Sequence, residues 1–365
     1  MATVEGDVAA RIERGETIPN SWYTDPEHLA VERRCVLGHA WQYVGDASRV
    51  AEPGTYTTAT VGDVPVVVTR DEAGTLHALA NVCRHRHHIV ASGSGRRKTL
   101  QCPYHAWTYR LDGTLHRAPG VDLAARPDCA ALRLAPLAVD TWGPFLFVSL
   151  DRGIAPLAEH LGSFPARTRA FCGVDVDELE LRRREEYTVD VNWKVVIENF
   201  MECYHCPTVH AKSLPGLTID PYDVESFDHA DVLLTRDSGG HVPTSTGNRF
   251  ADAEGARFAF LALHPNTQFS VFGDMQAVAP RCVLPEATRS TRVLFDFYFA
   301  PSVPEADSTD FTTFVMSVLD EDFAAIRSVQ AGLDTGLFEH GYLGGHCEQA
   351  PWNFHRRLAR ALEEA

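Results

Sequence analysis

The sequence predicts an α+β protein, with a small all-β domain ahead of an antiparallel sheet wrapped round a long C-terminal helix. Three observations carry that expectation. Between Trp41 and Leu150 the chain reads as short runs of β-branched and aromatic residues separated by turn signals. Between Phe258 and Phe299 four more such runs follow one another. From about Thr309 to Leu333 apolar residues recur at i, i+3, i+4 and i+7, the period of a helix with one buried face.

Taken in order, Asp25-Pro26 opens the first clear helix, Asp as N-cap and Pro at the first helical position, and Gly38 ends it. The strands TYTTATVG, VPVVVTR, LHALANV, TLQCPY, HAWTYRL and PFLFVSL follow, with turns at Pro53-Gly54, Gly62-Asp63, Gly74 and Asp112-Gly113. Leu157 to Leu161 reads as a short helix. Leu179 to Val191 reads as a strand, and Asn192 or a neighbour opens the next helix. FAFLAL, QFSVFG, MQAVAPRCV and TRVLFDFYF are the second strand run, with turns at His264-Pro265-Asn266 and Glu286-Ala287. The tail from Phe338 reads as loop then helix.

The 365 residues suit two domains or one large one, and 45% hydrophobic with 22% charged is ordinary globular composition. The net charge, 33 − 49 = −16, argues against nucleic acid and anionic membrane as partners. Nine cysteines behind a first stretch with no apolar run point to a reducing cytoplasm and not to a disulfide framework. No segment is long and apolar enough to span a bilayer.

Chemistry concentrates first in NVCRHRHHIVASGSGRRKTLQCPYHAW. Cys83-x-His85 is followed, after sixteen residues, by Cys102-x2-His105. In a Rieske [2Fe–2S] centre one iron takes two Cys and the other two His. Each loop here offers one of each, so each would touch both irons. Gly93 and Gly95 let the chain turn back between the loops, and Pro103 stiffens the second. A tetrahedral Cys2His2 zinc site uses the same ligand types, though it usually pairs Cys with Cys and His with His. His87 or His88 in place of His85 is a further alternative that register leaves open.

The second stretch is NWKVVIENFMECYHCPTVH, with His205 and His210 five apart, off one face of an ideal helix. Pro207 between them predicts a bent or widened helix that lets both imidazoles converge. On the later helix, Phe311, Val315, Val318, Leu319, Ile326, Val329 and Leu333 form one apolar stripe, and Asp322 falls in its middle while Asp320 faces away. A buried carboxylate needs compensation. Two imidazoles and a metal would supply it, as in the 2-His-1-carboxylate triad of non-heme iron sites, and an ion pair with an Arg would do the same.

NVCRHR, CPYHAW and ENFMECYHCPTVH together resemble the oxygenase (alpha) component of Rieske non-heme iron oxygenases, the family of aromatic ring-hydroxylating dioxygenases and quaternary-amine monooxygenases. The resemblance runs from about Trp22 to Leu333. It departs from the pattern at His87 and Ala106, where glycine is usual, which bears on loop geometry and not on ligands. It implies a Rieske domain over 41–152, inserted in a helix-grip (START-like) catalytic domain made of 1–40 and 153–365. It implies a [2Fe–2S] cluster on Cys83, His85, Cys102 and His105, and a mononuclear Fe(II) on His205, His210 and Asp322. Glu202 matches the position of a carboxylate that bridges a cluster His and an iron-binding His, and Glu is the variant found in the quaternary-amine oxygenases. Cys203 and Cys206 are expected to pack and not to bind metal.

The implied activity is that of a terminal oxygenase using O2 and electrons from NAD(P)H through a separate reductase, with or without a ferredoxin. The absence of a G-x-G-x-x-G motif after a strand agrees with an external reductase. The implied assembly is a homotrimer or a multiple of trimers. The Glu202 variant leans the substrate towards a small N-methylated or quaternary-ammonium compound, attacked oxidatively with C–N cleavage. Phe258, Phe269 and Phe272 are candidates for an aromatic cage round it. Aromatic ring hydroxylation is the alternative reaction. A Rieske electron-transfer protein with a ligand-binding domain is the alternative of another class.

Overall fold

In a computed structural model of the chain, residues 5–123, 129–214, 222–235 and 258–364 are described. They fall into two compact units, one of Leu37–Leu157 and one of Met1–Val36 with Ala158–Ala365. No helix among the described residues is long and apolar enough to cross a membrane.

The smaller unit is mainly β, with short 3-10 turns such as Ala47–Val50. Its main sheet runs, in spatial order, Gln42–Asp46, Phe145–Ser149, Pro136–Trp142, Leu76–Ala80, Val64–Arg70, Thr55–Val61 and Ser94–Arg96. A three-stranded sheet of Leu100–Gln101, Thr108–Tyr109 and Leu115–Arg117 carries the second Cys/His loop. Strand alternation sorts the valines: Val66 and Val68 enter one core, and Val67 enters the core that holds Cys83, Cys102, Trp107 and Tyr109. Gly93 turns at a φ of 66° as expected. Gly95 does not turn. It lies in a strand, where a Cβ would stand 3.4 Å from the Tyr56 ring, so its role is close approach.

The larger unit is built on a seven-stranded antiparallel sheet: β1 Glu180–Val189, β2 Tyr222–Ser226, β3 Ala230–Thr235, β4 Phe258–Leu263, β5 Thr267–Phe272, β6 Ala277–Ala287 and β7 Ser290–Phe299. Its spatial order is β1-β7-β6-β5-β4-β3-β2. Antiparallel partners directly opposite share a face, so Phe260, Ser270 and Ala279 line one side together. That side holds Ala277, Ala279, Val283, Val293, Phe295 and Phe297. They pack into one core with Phe311, Leu319, Phe323 and Ile326 of the long helix Glu305–Leu333. The helix starts a turn earlier than the stripe predicts, directly after Pro304. Towards its end the buried stripe rotates: Val329 is exposed, and Gln330 is buried instead, accepting the Asn192 N–H at 2.8 Å.

Two caps form as the sequence predicts. Asp25 accepts from the Glu27 N–H at the head of the Pro26–Cys35 helix, and Asn192 accepts from Lys194 N–H at the head of Trp193–Asn199. The C-terminal helix Gln349–Glu363 buries Phe354 and Leu358 in the same core, so the tail belongs to this unit.

Candidate metal centres

The two Cys/His loops are built alike down to the backbone. Cys83 N–H donates to the His88 carbonyl and His87 N–H to the Cys83 carbonyl. In the second loop, Cys102 N–H donates to Trp107 and Ala106 N–H to Cys102. Each loop closes through a residue in the left-handed region, His87 and Ala106, both with φ of 57°. These are the two positions where the resemblance leads one to expect glycine, so the loops keep their shape against a side-chain cost.

This geometry buries the sulfurs and turns the imidazoles outward. Cys83 and Cys102 are buried neighbours, and the Tyr109 hydroxyl lies 3.3 Å from the Cys83 sulfur. His85 and His105 are exposed, their ring centroids 4.6 Å apart, and His85 stacks on Trp107. Of the three histidines in the first loop, His85 is thus the one that meets His105. Sulfurs on one side and imidazoles on the other match a dinuclear cluster with one Cys-ligated and one His-ligated iron. A single tetrahedral ion would need all four donors close together. Among the described residues, the trio of His, Cys or acidic donors that falls within 4.8 Å lies elsewhere, at His205, Cys206 and His210. Burial pushes the Cys102 thiol up, and Cys83 beside it adds to the shift, so positive iron in place of the protons suits the pair.

The second site departs from the expected bent helix. Trp193–Asn199 ends, and a separate turn, Cys206–Val209, lies between His205 and His210. Pro207 starts that turn and does not bend a longer helix. The break has a local cause: the Glu202 carboxylate accepts the N–H groups of Tyr204 and His205, closing a tight turn. In that turn Cys203 and Cys206 come to a Cα separation of 4.9 Å and form a disulfide, where the sequence reading expected packing thiols. A disulfide sulfur is no thiolate ligand, so Cys206 drops out of the trio above.

Asp322 takes its place. Its Oδ1 lies 3.3 Å from Nε2 of His205 and 3.1 Å from Nε2 of His210. It is buried, as the stripe predicts, whereas Asp320 is exposed. The far nitrogens are held by other carboxylates: His205 Nδ1 bonds Glu202 Oε1, and His210 Nδ1 bonds Glu321 Oε2 at 2.8 Å. A carboxylate on Nδ1 fixes the tautomer that leaves the Nε2 lone pair free for a metal. Glu321 was missed in the sequence, as was Asn199, whose Nδ2 donates to Asp322 Oδ1 at 3.3 Å. Burial alone would lower His205, but its bonds to Asp322 and Glu202 outweigh that and push it up to about 9. His210 is raised in the same way, and Asp322 is lowered by the two imidazoles against its burial. All three shifts favour positive charge between them, so the donor set fits a divalent iron.

The proposed cage residues separate. Phe258 and Phe272 lie opposite each other on the core-facing side, and Phe272 packs on Phe311 with ring centroids 4.9 Å apart. Phe269 sits opposite Pro280 with its ring on the other side of the sheet, 6.1 Å from that of Phe164. The alternation of β5 decides this, and Phe260 and Phe200 are the interior aromatics that the sequence reading did not select.

Comparison with known proteins gives the same two cofactors. The family model for the ring hydroxylating alpha subunit (catalytic domain) matches residues 176–364, and that for the Rieske [2Fe-2S] domain matches 40–127. The chloroplastic choline monooxygenase of Arabidopsis thaliana is 33% identical over 352 residues, covering 92% of this chain and 81% of the relative. The carnitine monooxygenase oxygenase subunit of Acinetobacter baumannii is 30% identical over 340 residues, covering 93% and 90%. A solved quaternary ammonium Rieske monooxygenase, described for carnitine oxidation and inter-subunit electron transfer, superposes with a TM-score of 0.84 at 26% identity. That match covers 97% of this chain and 98% of the other.

Proposed function

Since the chain belongs to the ring-hydroxylating oxygenase alpha subunits and carries a Rieske [2Fe–2S] domain, we propose that it is a terminal oxygenase acting on a small quaternary-ammonium or N-methylated compound. It is an oxidoreductase, with a Rieske cluster and a mononuclear iron as its cofactors. The observation that carries the assignment of residues is the convergence of two Nε2 atoms on Asp322, with Glu202 and Glu321 behind them. The substrate class rests on the choline and carnitine monooxygenases among the relatives and on glutamate at 202.

In this reading Cys83, His85, Cys102 and His105 hold the cluster, and His205, His210 and Asp322 hold the iron. An iron held there would supply the redox chemistry for reducing dioxygen. The chain's own groups do the rest. Glu202 and Glu321 keep the imidazoles in their ligating tautomer. Asn199 steadies the carboxylate of Asp322. Phe260 and Phe272 offer aromatic surface to a cation and keep water from the reacting carbon. Insertion of one oxygen atom into a C–H bond takes two electrons and two protons, and the second atom leaves as water. Collapse of a carbinol next to nitrogen then breaks the C–N bond and frees formaldehyde or an aldehyde.

The electrons are proposed to come from NAD(P)H through a separate reductase, directly or through a ferredoxin. The assembly is proposed as a trimer or a multiple of trimers, in which His105 of one copy and His205 of the next share Glu202. The test is oxygen uptake and product mass with a surrogate reductase and choline, L-carnitine or γ-butyrobetaine. Uptake coupled to an aldehyde product supports the reading. Uptake with an uncharged aromatic acid, and none with these three, transfers it to ring hydroxylation.

A further inference from the structure

Arg281 is a charged side chain buried in the core of the catalytic unit, 5% exposed, with most of its donors unused. It lies on the core-facing side of β6, directly opposite Gln268 of β5 and Phe295 of β7. One nitrogen donates to the Ser270 hydroxyl at 2.7 Å. Nε and the other terminal nitrogen have no partner among the described residues. The guanidinium stacks 3.7 Å from the Phe200 ring centroid and 4.6 Å from that of Phe295, which fixes its plane. Gln268 does not satisfy it: its Nε2 donates to the Ile197 carbonyl, and its Oε1 is itself unpartnered. The Tyr187 hydroxyl, from β1 on the same side, is a further donor shielded from solvent without a partner.

Arg281, Phe200, Phe260, Gln268 and Ser270 line a cavity of about 40 Å³, room for one small group. Phe200 in the cavity wall follows Asn199, whose Nδ2 donates to Asp322, and the charge of Asp322 is felt at Arg281. Asp322 is no salt-bridge partner of Arg281, though its charge helps to hold the guanidinium protonated. Burial pushes Arg281 down only to about 10. A buried guanidinium with unpartnered Nε and Nη1 donors, and a second Nη2 hydrogen beside the one given to Ser270, attracts an anion, and a carboxylate is the organic anion it binds best.

We propose that Arg281 is the anchor for a substrate carboxylate, so the substrate is a zwitterion with its cationic nitrogen towards the aromatic interior and its carboxylate on the guanidinium. The inference rests on the quaternary-ammonium reading and narrows it. A cation with no acid group, such as choline, gains nothing from Arg281 and is repelled by it. Betaine-type acids are therefore favoured over choline, although choline monooxygenases are among the relatives.

The test is calorimetric binding to the metal-loaded protein with four ligands: γ-butyrobetaine, its methyl ester, choline, and the acid in which a tert-butyl group replaces trimethylammonium. The expected result is that the betaine binds about 10- to 100-fold more tightly than its ester. Arg281→Gln should bring betaine and ester to one level, weakening the betaine while the ester, freed of the repelling charge, binds no more weakly than before, and Arg281→Lys should fall between. Equal binding of betaine and ester to the native protein overturns the anchor and leaves the quaternary-ammonium reading standing. Binding of the tert-butyl acid as tight as the betaine, and lost in Arg281→Gln, keeps the anchor and sinks the quaternary-ammonium reading. Equal loss of betaine and ester in Arg281→Gln, or no binding of any of the four, overturns the anchor. If Arg281→Gln does not fold, the native-protein comparison of acid with ester and the Arg281→Lys variant decide.

Discussion

His87 and Ala106 hold left-handed backbone with a Cβ in place, and a non-glycine residue there costs on the order of 1 kcal/mol. His87→Gly with Ala106→Gly should relieve this, less what glycine adds to the freedom of the unfolded chain. The expected outcome is a melting temperature higher by a few degrees at unchanged cluster absorbance. At the iron site the residues separate by role. Asp322→Ala should leave the red-brown colour and remove the mononuclear iron, read as metal per chain. Glu321→Gln should keep the fold and weaken iron binding by roughly 10- to 100-fold, because His210 loses the group that orients it. Helical periodicity alone could select Asp322 from Asp-Glu-Asp, since burial follows the stripe. Glu321 was not legible, because its role depends on where His210 docks, and that is set by tertiary structure.

At the scale of elements, the Pro26–Cys35 helix is tied to Trp193–Asn199 by a buried ion pair. Glu32 accepts from Lys194 Nζ at 2.7 Å and from Trp193 Nε1 at 2.8 Å, and both charged side chains are fully buried. Burial would raise Glu32, but Lys194 and His28 outweigh it and hold it low, so it is a carboxylate in the folded protein. Lys194→Met would strand that charge and should cost about 3–5 kcal/mol by chemical denaturation. Glu32→Gln with Lys194→Met removes both charges and should restore most of the loss. A single variant as stable as the parent would show that the pair contributes little. The helix heads were legible because Asp25 and Asn192 cap within two residues of sequence. The 193–210 stretch was not, because a side-chain carboxylate, Glu202, takes the N–H groups that a continuous helix would need. Likewise the strand run was legible, but which phenylalanines face the interior needed the register of β5.

At the scale of the molecule, the exposed groups indicate where copies should meet. The imidazoles proposed to hold the cluster, His85 and His105, lie at the surface, with Tyr104 and Ile89 exposed near them, and Tyr204 is exposed next to Glu202. Large apolar side chains in such places mark interaction surfaces when they cluster at a functional group. Glu202 already accepts from the N–H groups of Tyr204 and His205 and from His205 Nδ1, and since a carboxylate accepts up to about four hydrogen bonds, one place remains for a second imidazole. In the proposed assembly that second imidazole is His105 of another copy, and a head-to-tail ring supplies one at every interface. Glu202→Gln should keep both metals and reduce normally at the cluster, yet turn over slowly, because the second imidazole loses its acceptor. The sharper measurement mixes subunits. Cys83→Ser chains lack the cluster and Asp322→Ala chains lack the mononuclear iron, so each assembly alone should be inactive. Co-assembled, a cluster on an Asp322→Ala chain can feed iron on a neighbouring Cys83→Ser chain, and part of the activity should return. The recovered rate should follow the fraction of mixed interfaces as the input ratio is varied. Mixed assemblies that form, carry both kinds of centre and stay inactive would require transfer within one chain, and the ring would then have no part in electron transfer.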